Sequence, residues 1–140
     1  MAKILVVEDN VLNIKLFCDL LSAHGHEACP VTDSREALSE AQRFGPDLVI
    51  TDIQLPHVSG IELMEQIRAD ATLRSVPIMA VTAYSGQGDH ERFREAGAQA
   101  YVSKPISVAR FIETVDELLN AGTADSEKGG AEISTAPVEE

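Results

Sequence analysis

Positive charge is scarce in this sequence and tryptophan is absent. The 140 residues include 11 lysines and arginines against 23 aspartates and glutamates, which gives a formal net charge of −12. Because such an acidic chain repels phosphate backbones and anionic headgroups, we expect it to bind neither nucleic acid nor a membrane surface. No apolar run approaches the roughly 18–20 residues of a membrane span, and Glu8 and Asp9 interrupt the N-terminus before any signal-peptide core. The predicted location is cytoplasmic.

Cysteine is also rare, since the chain has only Cys18 and Cys29. They fall in a predicted helix and a predicted strand, so we expect buried, reduced thiols rather than a disulfide framework. The remaining composition is ordinary, with 44% hydrophobic and 24% charged residues. Together with the length, this composition predicts one globular domain with one sizeable core.

Apolar segments of strand length alternate with helical segments along most of the chain. The run from Lys3 to Val7 is apolar after its first residue, as in a parallel strand buried on both faces. The pattern predicts strands at 3–7, 27–31, 47–51, 77–82 and 100–103, and helices at 11–24, 34–44, 60–70, 89–96 and 107–120. Short loops between them imply βαβ crossovers. We therefore predict an α/β fold, a doubly wound (βα)5 flavodoxin-like parallel sheet with the common five-stranded order 2-1-3-4-5.

The last twenty residues differ in composition from the rest of the chain. Residues 121–140 hold five acidic residues against one lysine, with Gly129-Gly130 and no apolar periodicity. Such a segment cannot bury enough apolar surface to offset the entropy lost on ordering. We predict a domain over residues 1–120 and an acidic, disordered tail over 121–140.

Polar residues follow the predicted strands at the edge where open α/β sheets bind ligands. Glu8 and Asp9 follow the first strand, Asp52 the third, Thr82 ends the fourth and Lys104 follows the fifth. Three clustered carboxylates repel one another unless a cation joins them, and oxygen ligands select a hard ion such as Mg2+. A lysine and a hydroxyl suit phosphoryl oxygens. The pattern indicates a phosphoryl site with Asp52 as the candidate nucleophile.

These residues belong to five short motifs, which occur in a fixed order along the chain. The motifs are Glu8-Asp9-Asn10, Asp52-Ile-Gln-Leu-Pro56, Ser59-Gly60, Thr82-Ala83 and Lys104-Pro105. In sequence and spacing they resemble the receiver domains of bacterial two-component response regulators, and the resemblance spans residues 2–120. Within that family the chain most resembles stand-alone cell-cycle regulators of the DivK type.

The resemblance implies a phosphorylation reaction and a metal site. Asp52 would accept a phosphoryl group from a phosphohistidine on a histidine kinase or a histidine phosphotransfer protein. Asp9 and Asp52 would bind Mg2+ directly, Glu8 partly through water, and Gln54 through its backbone carbonyl. Lys104 would neutralise the phosphoryl group.

The resemblance also implies a switch and a way to control the phosphorylated lifetime. Thr82 would move toward the phosphoryl oxygen while Tyr101 rotates inward, although an aromatic residue in an edge strand is also compatible with plain packing. The small Ala83 would leave the acyl phosphate reachable, and Gln54 and Tyr84 would flank the path of water. Neither flanking side chain is a carboxylate, so we expect slow self-dephosphorylation and no activity beyond self-phosphorylation from small donors. Tyr84 could instead point to solvent.

The first helix is apolar on nearly every side, so some of its apolar side chains should be exposed. We expect Leu12, Asn13 and Leu16 to form a docking patch with Pro105 and Ile106, as the resemblance also implies. The partner would be the helical bundle of a kinase or phosphotransfer protein, and a downstream target protein would read the phosphorylated state. The alternative is that Leu12 and Leu16 pack under neighbouring loops. Asn10 is a candidate N-cap of the same helix.

Other classes of protein also place an aspartate or a phosphate at this edge of the sheet. A Mg2+-dependent phosphatase of the haloacid-dehalogenase type needs a second acid two residues after its nucleophile, where this sequence has Gln54, and a cap that these short loops lack. A flavin-binding module needs a Ser/Thr/Gly loop after the first strand, where this chain has acids. A receiver that no longer accepts phosphate is disfavoured by the intact Asp9, Asp52, Thr82 and Lys104.

Overall fold

The computed structural model describes residues 2–83, 87–104 and 106–123. Five parallel strands form one sheet in the order β2-β1-β3-β4-β5, which confirms the predicted topology. The strands are β1 (Lys3–Val7), β2 (Glu27–Val31), β3 (Leu48–Asp52), β4 (Ile78–Thr82) and β5 (Ala100–Ser103). The third strand ends one residue later than predicted, because Asp52 still pairs in register with Val81 of β4.

Helices connect the strands. They are α1 (Val11–Ala23), α2 (Ala37–Phe44), α3 (Gly60–Ala69), α4 (Gln87–Ala96) and α5 (Val108–Thr123). The predicted helix at 34–44 is in fact a 3-10 turn, Ser34–Glu36, followed by α2. The Asp33 side chain caps that turn by accepting a hydrogen bond from the Arg35 amide. The last helix continues to Thr123, three residues beyond its predicted end.

The helices bury both faces of the sheet. On one face Phe17 of α1 stacks on Phe111 of α5, with ring centroids 5.1 Å apart. On the other face α2, α3 and α4 contribute Ala41, Leu63 and Phe93 to a second apolar cluster. The inner strands β1, β3 and β4 are buried almost throughout, which explains why they are continuously apolar in the sequence.

The two cysteines lie on opposite faces of the sheet. Cys18 packs against the α1–α5 cluster and Cys29 against the cluster covered by α2. Both thiols are free, as predicted, but the expectation that they are buried is wrong, because both are half-buried. Burial raises the pKa of both thiols, which disfavours the reactive thiolate.

The crossovers from β1 and β3 leave the sheet toward opposite faces. After β1 the chain enters α1 on one face, and after β3 it enters α3 on the other. Neighbouring strands whose connections diverge in this way leave a crevice beyond their carboxyl ends. The segments that follow β1 and β3 line this crevice.

Candidate functional site

Three carboxylates meet at the crevice between β1 and β3. One oxygen each of Glu8, Asp9 and Asp52 lies within 4.8 Å of the others. Glu8 and Asp52 are buried and Asp9 is exposed, so the cluster opens to solvent on one side. The structure thus brings together the three side chains that the sequence marks as candidate metal ligands.

Glu8 is the buried member of this cluster that lacks a full set of partners. Its side chain is 1% exposed, and Oε2 accepts a hydrogen bond from the Asn10 amide at 3.1 Å. Oε1 accepts no hydrogen bond among the described residues. Burial and the charge of Asp52 raise the pKa of Glu8, although the Asn10 amide and the charge of Lys104 oppose the shift. A buried carboxylate oxygen that accepts no hydrogen bond, beside two other carboxylates, fits a hard divalent cation.

Lys104 reaches into the cluster from the end of β5. Its Nζ lies 3.0 Å from Oδ2 of Asp52 and 3.5 Å from Oε1 of Glu8. The backbone amide of Lys104 donates to the carbonyl of Thr82 at 2.8 Å, which anchors the loop that carries the lysine. Burial disfavours the charged ammonium, but the hydrogen bond to Asp52 and the carboxylate charges outweigh it and raise the pKa of Lys104. The lysine therefore stays charged and faces the candidate nucleophile.

Asp52 is held by the segment that follows it. The Gln54 amide donates to Oδ1 of Asp52 at 3.3 Å, and the Gly60 amide donates to the carbonyl of Ile53 at 2.9 Å. A Cβ atom on Gly60 would lie 2.2 Å from the Asp52 carbonyl oxygen and 2.6 Å from Cα of Ile53. Only glycine lets α3 begin this close to the nucleophile. Gly60 belongs to the Ser59-Gly60 motif, but its contact with the Asp52 backbone was not predicted from the sequence.

The candidate switch residues lie on β4 and β5. Thr82 is fully buried at the end of β4, and Ala83 directly after it is exposed. Tyr101 of β5 is half-buried and meets Phe93 edge-on, with ring centroids 6.3 Å apart. Gln54 is exposed beside the cluster. Two predicted site residues, Tyr84 and Pro105, lie outside the described residues.

Apolar side chains are exposed next to the carboxylate cluster. Leu12 is 77% exposed and Leu16 41%, and Val11 and Val108 are exposed as well. Asn10 accepts a hydrogen bond from the Asn13 amide, as expected for the N-cap of α1. A groove of about 500 Å³ joins this surface to the cluster, and its lining consists of Asn13, Leu16, Phe17, Ala83, Lys104 and Ile106. Three predicted docking residues, Asn13, Leu16 and Ile106, therefore line one groove, and Leu12 is exposed on the same helix.

Comparison with known proteins identifies the family. Residues 4–116 match the model of the response regulator receiver domain. The chain belongs to this family. The receiver is 50% identical over 116 residues to the polar-differentiation response regulator DivK of Brucella ovis, an alignment that covers 83% of this chain and 94% of the relative. It is a signalling protein rather than a classical enzyme, which disfavours the haloacid-dehalogenase type of phosphatase.

Solved structures show the same fold. The chemotaxis protein CheY4 of Vibrio cholerae superposes with a TM-score of 0.81 at 26% identity, covering 84% of the receiver and 98% of CheY4. The receiver domain of the sensor histidine kinase PA1611 from Pseudomonas aeruginosa superposes with a TM-score of 0.78 at 33% identity, covering 85% and 98%. That structure has a magnesium ion coordinated in the active site cleft. In the part of this receiver that the structure describes, none of the helices has the length and apolar character needed to cross a membrane.

Removing the charge of Glu8 should stabilise the metal-free receiver in a pH-dependent way. Because the pKa of Glu8 is raised, its side chain binds more protons in the folded than in the unfolded state, so the contribution of Glu8 to stability falls as pH rises above the ordinary value of 4.5. We expect Glu8→Gln to raise Tm in EDTA at pH 7 to 8, and the gain to shrink toward zero below pH 4.5. Thermal melts of both proteins from below pH 4.5 to pH 8 would measure this difference in Tm.

The matched control is Glu65→Gln on the exposed face of α3, which removes the same charge far from the cluster and should not raise Tm at pH 8. Adding Mg2+ should raise Tm more for the wild type than for Glu8→Gln, because a ligand that binds only the folded state stabilises it. A Glu8→Gln variant with lower Tm than the wild type at pH 8 in EDTA would contradict the strained acidic cluster.

Proposed function

We propose that this receiver accepts a phosphoryl group on Asp52, in a Mg2+-dependent reaction, from a phosphohistidine on a histidine kinase or histidine phosphotransfer protein. The observation that carries the proposal is Lys104 Nζ at 3.0 Å from Asp52 and 3.5 Å from Glu8, inside a three-carboxylate cluster. A lone acidic cluster suits a metal, whereas a lysine aimed at the same carboxylate also suits phosphoryl oxygens.

The chemistry follows from these positions. A carboxylate oxygen of Asp52 forms a bond to phosphorus, the phosphorus–nitrogen bond of the phosphohistidine breaks, and its electron pair stays on the imidazole. Lys104 shifts its ammonium from the free carboxylate to a phosphoryl oxygen. Glu8, Asp9, Asp52 and the Gln54 carbonyl are the groups that would hold Mg2+. When bound, the metal neutralises the charge of the carboxylates and of the transferring phosphoryl group.

Phosphorylation is then read through the β4–β5 side of the site. Thr82 donates its hydroxyl hydrogen to a phosphoryl oxygen, and Tyr101 moves inward from its half-buried place beside Phe93. This is an equilibrium between two packings, biased by contacts that only the phosphorylated form makes. The readout is binding of a downstream target protein.

The proposal includes a long-lived phosphorylated state. Ala83 leaves the acyl phosphate reachable by a partner, while Gln54 and Tyr84 give no carboxylate that could activate water. Self-phosphorylation from small donors and slow self-dephosphorylation are then the extent of its own chemistry. A role in cell-cycle control is proposed from the likeness to DivK, which in Brucella ovis is a polar-differentiation response regulator. The cytoplasmic location and the division into residues 1–120 and an acidic tail stay predictions.

Acetyl phosphate with Mg2+ tests the proposal directly. We expect up to one phosphoryl group per chain, removed by hydroxylamine as an acyl phosphate is, and no label in EDTA. Steady release of phosphate without a stable label would favour a phosphatase. Absence of label with Mg2+ present would favour a receiver that does not accept phosphate.

Docking of the phosphodonor should depend on the exposed apolar side of α1. Leu16 lines the groove that leads to Lys104, and an aspartate there would have to lose hydration against an apolar partner surface. We expect Leu16→Asp to slow phosphotransfer from the cognate donor by about tenfold or more, which corresponds to about 1.4 kcal/mol. Labelling by acetyl phosphate should keep its wild-type rate, because the site itself is untouched.

Ser22→Asp is the matched control, since it adds the same charge at the exposed far end of α1. It should leave both rates unchanged. Equal losses of both rates in Leu16→Asp would instead assign Leu16 a structural role.

A further inference from the structure

A buried hydroxyl ties a distant turn to the loop that follows Asp52. Ser34 opens the 3-10 turn after β2 and is 3% exposed. Its Oγ donates to the carbonyl of Pro56 at 2.8 Å and accepts from the amide of Val58 at 3.1 Å. One side chain thus satisfies two backbone groups that lie 22 and 24 residues away. Asp33 already caps the turn, so the Ser34 hydroxyl does not serve that purpose.

The bridged groups flank the one described non-glycine residue with positive φ. His57 lies between Pro56 and Val58 with φ of +70°, a left-handed conformation that side chains other than glycine adopt rarely. His57 is exposed, so packing of its side chain does not compensate for that conformation. The two hydrogen bonds to Ser34 close the loop on either side of His57 and stabilise the backbone that it needs.

The same loop carries groups of the candidate site. It begins at Ile53 directly after the nucleophile, includes the Gln54 carbonyl, and returns at Gly60 to contact the Asp52 backbone. Its two ends are therefore held at Asp52, and the bridge from Ser34 holds its middle. A loop with a fixed middle presents the Gln54 carbonyl and the Asp52 carboxylate in one arrangement instead of many.

We propose that Ser34 is a positioning residue for the phosphorylation of Asp52, acting by latching the Pro56–Val58 loop so that the metal-binding groups are preorganised. The latch rests on the proposed function, because it serves the Mg2+ and phosphoryl chemistry at Asp52. Ser34 touches neither the metal ligands nor the reacting atoms. Its effect is therefore greatest on Mg2+ affinity, and saturating Mg2+ compensates for its loss.

Ser34→Ala removes the hydroxyl and tests the latch. Loss of hydrogen bonds that support metal ligands weakens metal binding by about 10- to 100-fold. We expect a reduction near the smaller of these values, because Ser34 supports the ligands only through the backbone. Calorimetric titration of the unphosphorylated protein should show Mg2+ affinity reduced about tenfold. The rate of labelling by acetyl phosphate should fall at low Mg2+ and recover at saturating Mg2+. Hydrogen exchange of the Val58 amide should accelerate.

Ser39→Ala is the matched control, since the Ser39 hydroxyl also donates to a backbone carbonyl, that of Glu36, but does not reach the loop. It should leave Mg2+ affinity and labelling unchanged. His57→Gly added to Ser34→Ala should restore Mg2+ affinity in part, because glycine adopts positive φ without strain. If Ser34 only stabilised the fold, Ser34→Ala would lower Tm and His57→Gly would not restore Mg2+ affinity.

Mg2+ affinity and labelling within twofold of the wild type in Ser34→Ala would overturn the latch, whatever its Tm. If Ser34→Ala and the double variant Ser34→Ala, His57→Gly bound Mg2+ with equal affinity, Ser34 would not act through the backbone of His57. If the wild type takes no label, the proposed function fails. The Mg2+ titration and the Val58 exchange rate then still decide whether Ser34 organises the loop.

Discussion

Asp52→Asn is expected to take up no phosphoryl group from acetyl phosphate at any Mg2+ concentration, while folding as the wild type does. An amide oxygen lacks the negative charge and lone-pair reactivity that let a carboxylate attack phosphorus. The fold should be retained because the amide oxygen can still accept a hydrogen bond from Gln54 or Lys104. The substitution also removes one negative charge from a cluster of carboxylates that repel one another. Intact-mass spectrometry would measure the label and circular dichroism the fold.

Asp19→Asn makes the same chemical change at an exposed residue of α1 that pairs with Lys15. It should be labelled at the wild-type rate and stoichiometry. Normal labelling of Asp52→Asn would mean that another residue is the acceptor, and the proposed function would lose its nucleophile.

Gly60→Ala is expected to destabilise the receiver and to impair labelling together. At an ordinary helical position alanine is more favourable than glycine by about 1 kcal/mol, so a surface helix would gain stability. Here the added Cβ meets backbone atoms of Asp52 and Ile53 at 2.2 and 2.6 Å, and backbone cannot yield as a flexible side chain does. Overpacking of this kind lowers the free energy of unfolding by about 1–3 kcal/mol or more. Urea denaturation would measure the loss, and acetyl phosphate labelling the effect on the site.

Gly45→Ala is the control for Gly60→Ala, because it adds backbone strain without bringing a Cβ atom close to other backbone atoms. Gly45 ends α2 with φ of +67°, and nothing lies within 4 Å of a Cβ placed there. We expect the free energy of unfolding of Gly45→Ala to fall by about 1 kcal/mol, because alanine is strained in the left-handed conformation. Labelling by acetyl phosphate should stay normal. A Gly60→Ala variant as stable as the wild type would show that α3 can move away from β3 at little cost.

The order of the elements and the edge that carries the site were predictable from local patterns. Continuous apolar runs of strand length between helical segments imply buried parallel strands, and short crossovers leave few arrangements of the sheet. Because the carboxyl ends of parallel strands share one edge, positions such as Asp52 and Lys104 had to meet there. The element ends were less certain, as the 3-10 turn before α2 and the continuation of α5 to Thr123 show.

Contacts between loops could not be predicted in the same way. A periodic pattern tells which face of an element a residue occupies, but not the path of the loop that passes it. The Arg68 guanidinium, for example, donates to the carbonyls of Val76 and Gly97 and to the side chain of Gln99. Nothing in the sequence around Arg68 distinguishes it from an exposed helical arginine, because its partners lie up to 31 residues away.

The (βα)5 sheet, the family and the residues that gather at the edge of the sheet follow from the amino-acid sequence, because hydrophobic period, turn residues and motif order are local properties. Three other features are visible in the folded protein alone: Glu8 is buried with one oxygen that accepts no hydrogen bond from the described residues, Gly60 contacts the Asp52 backbone, and Ser34 reaches the loop around His57. Those features depend on distances between segments far apart in the chain. Such distances are set by how both faces of the sheet pack at once, and no single stretch of residues contains that information.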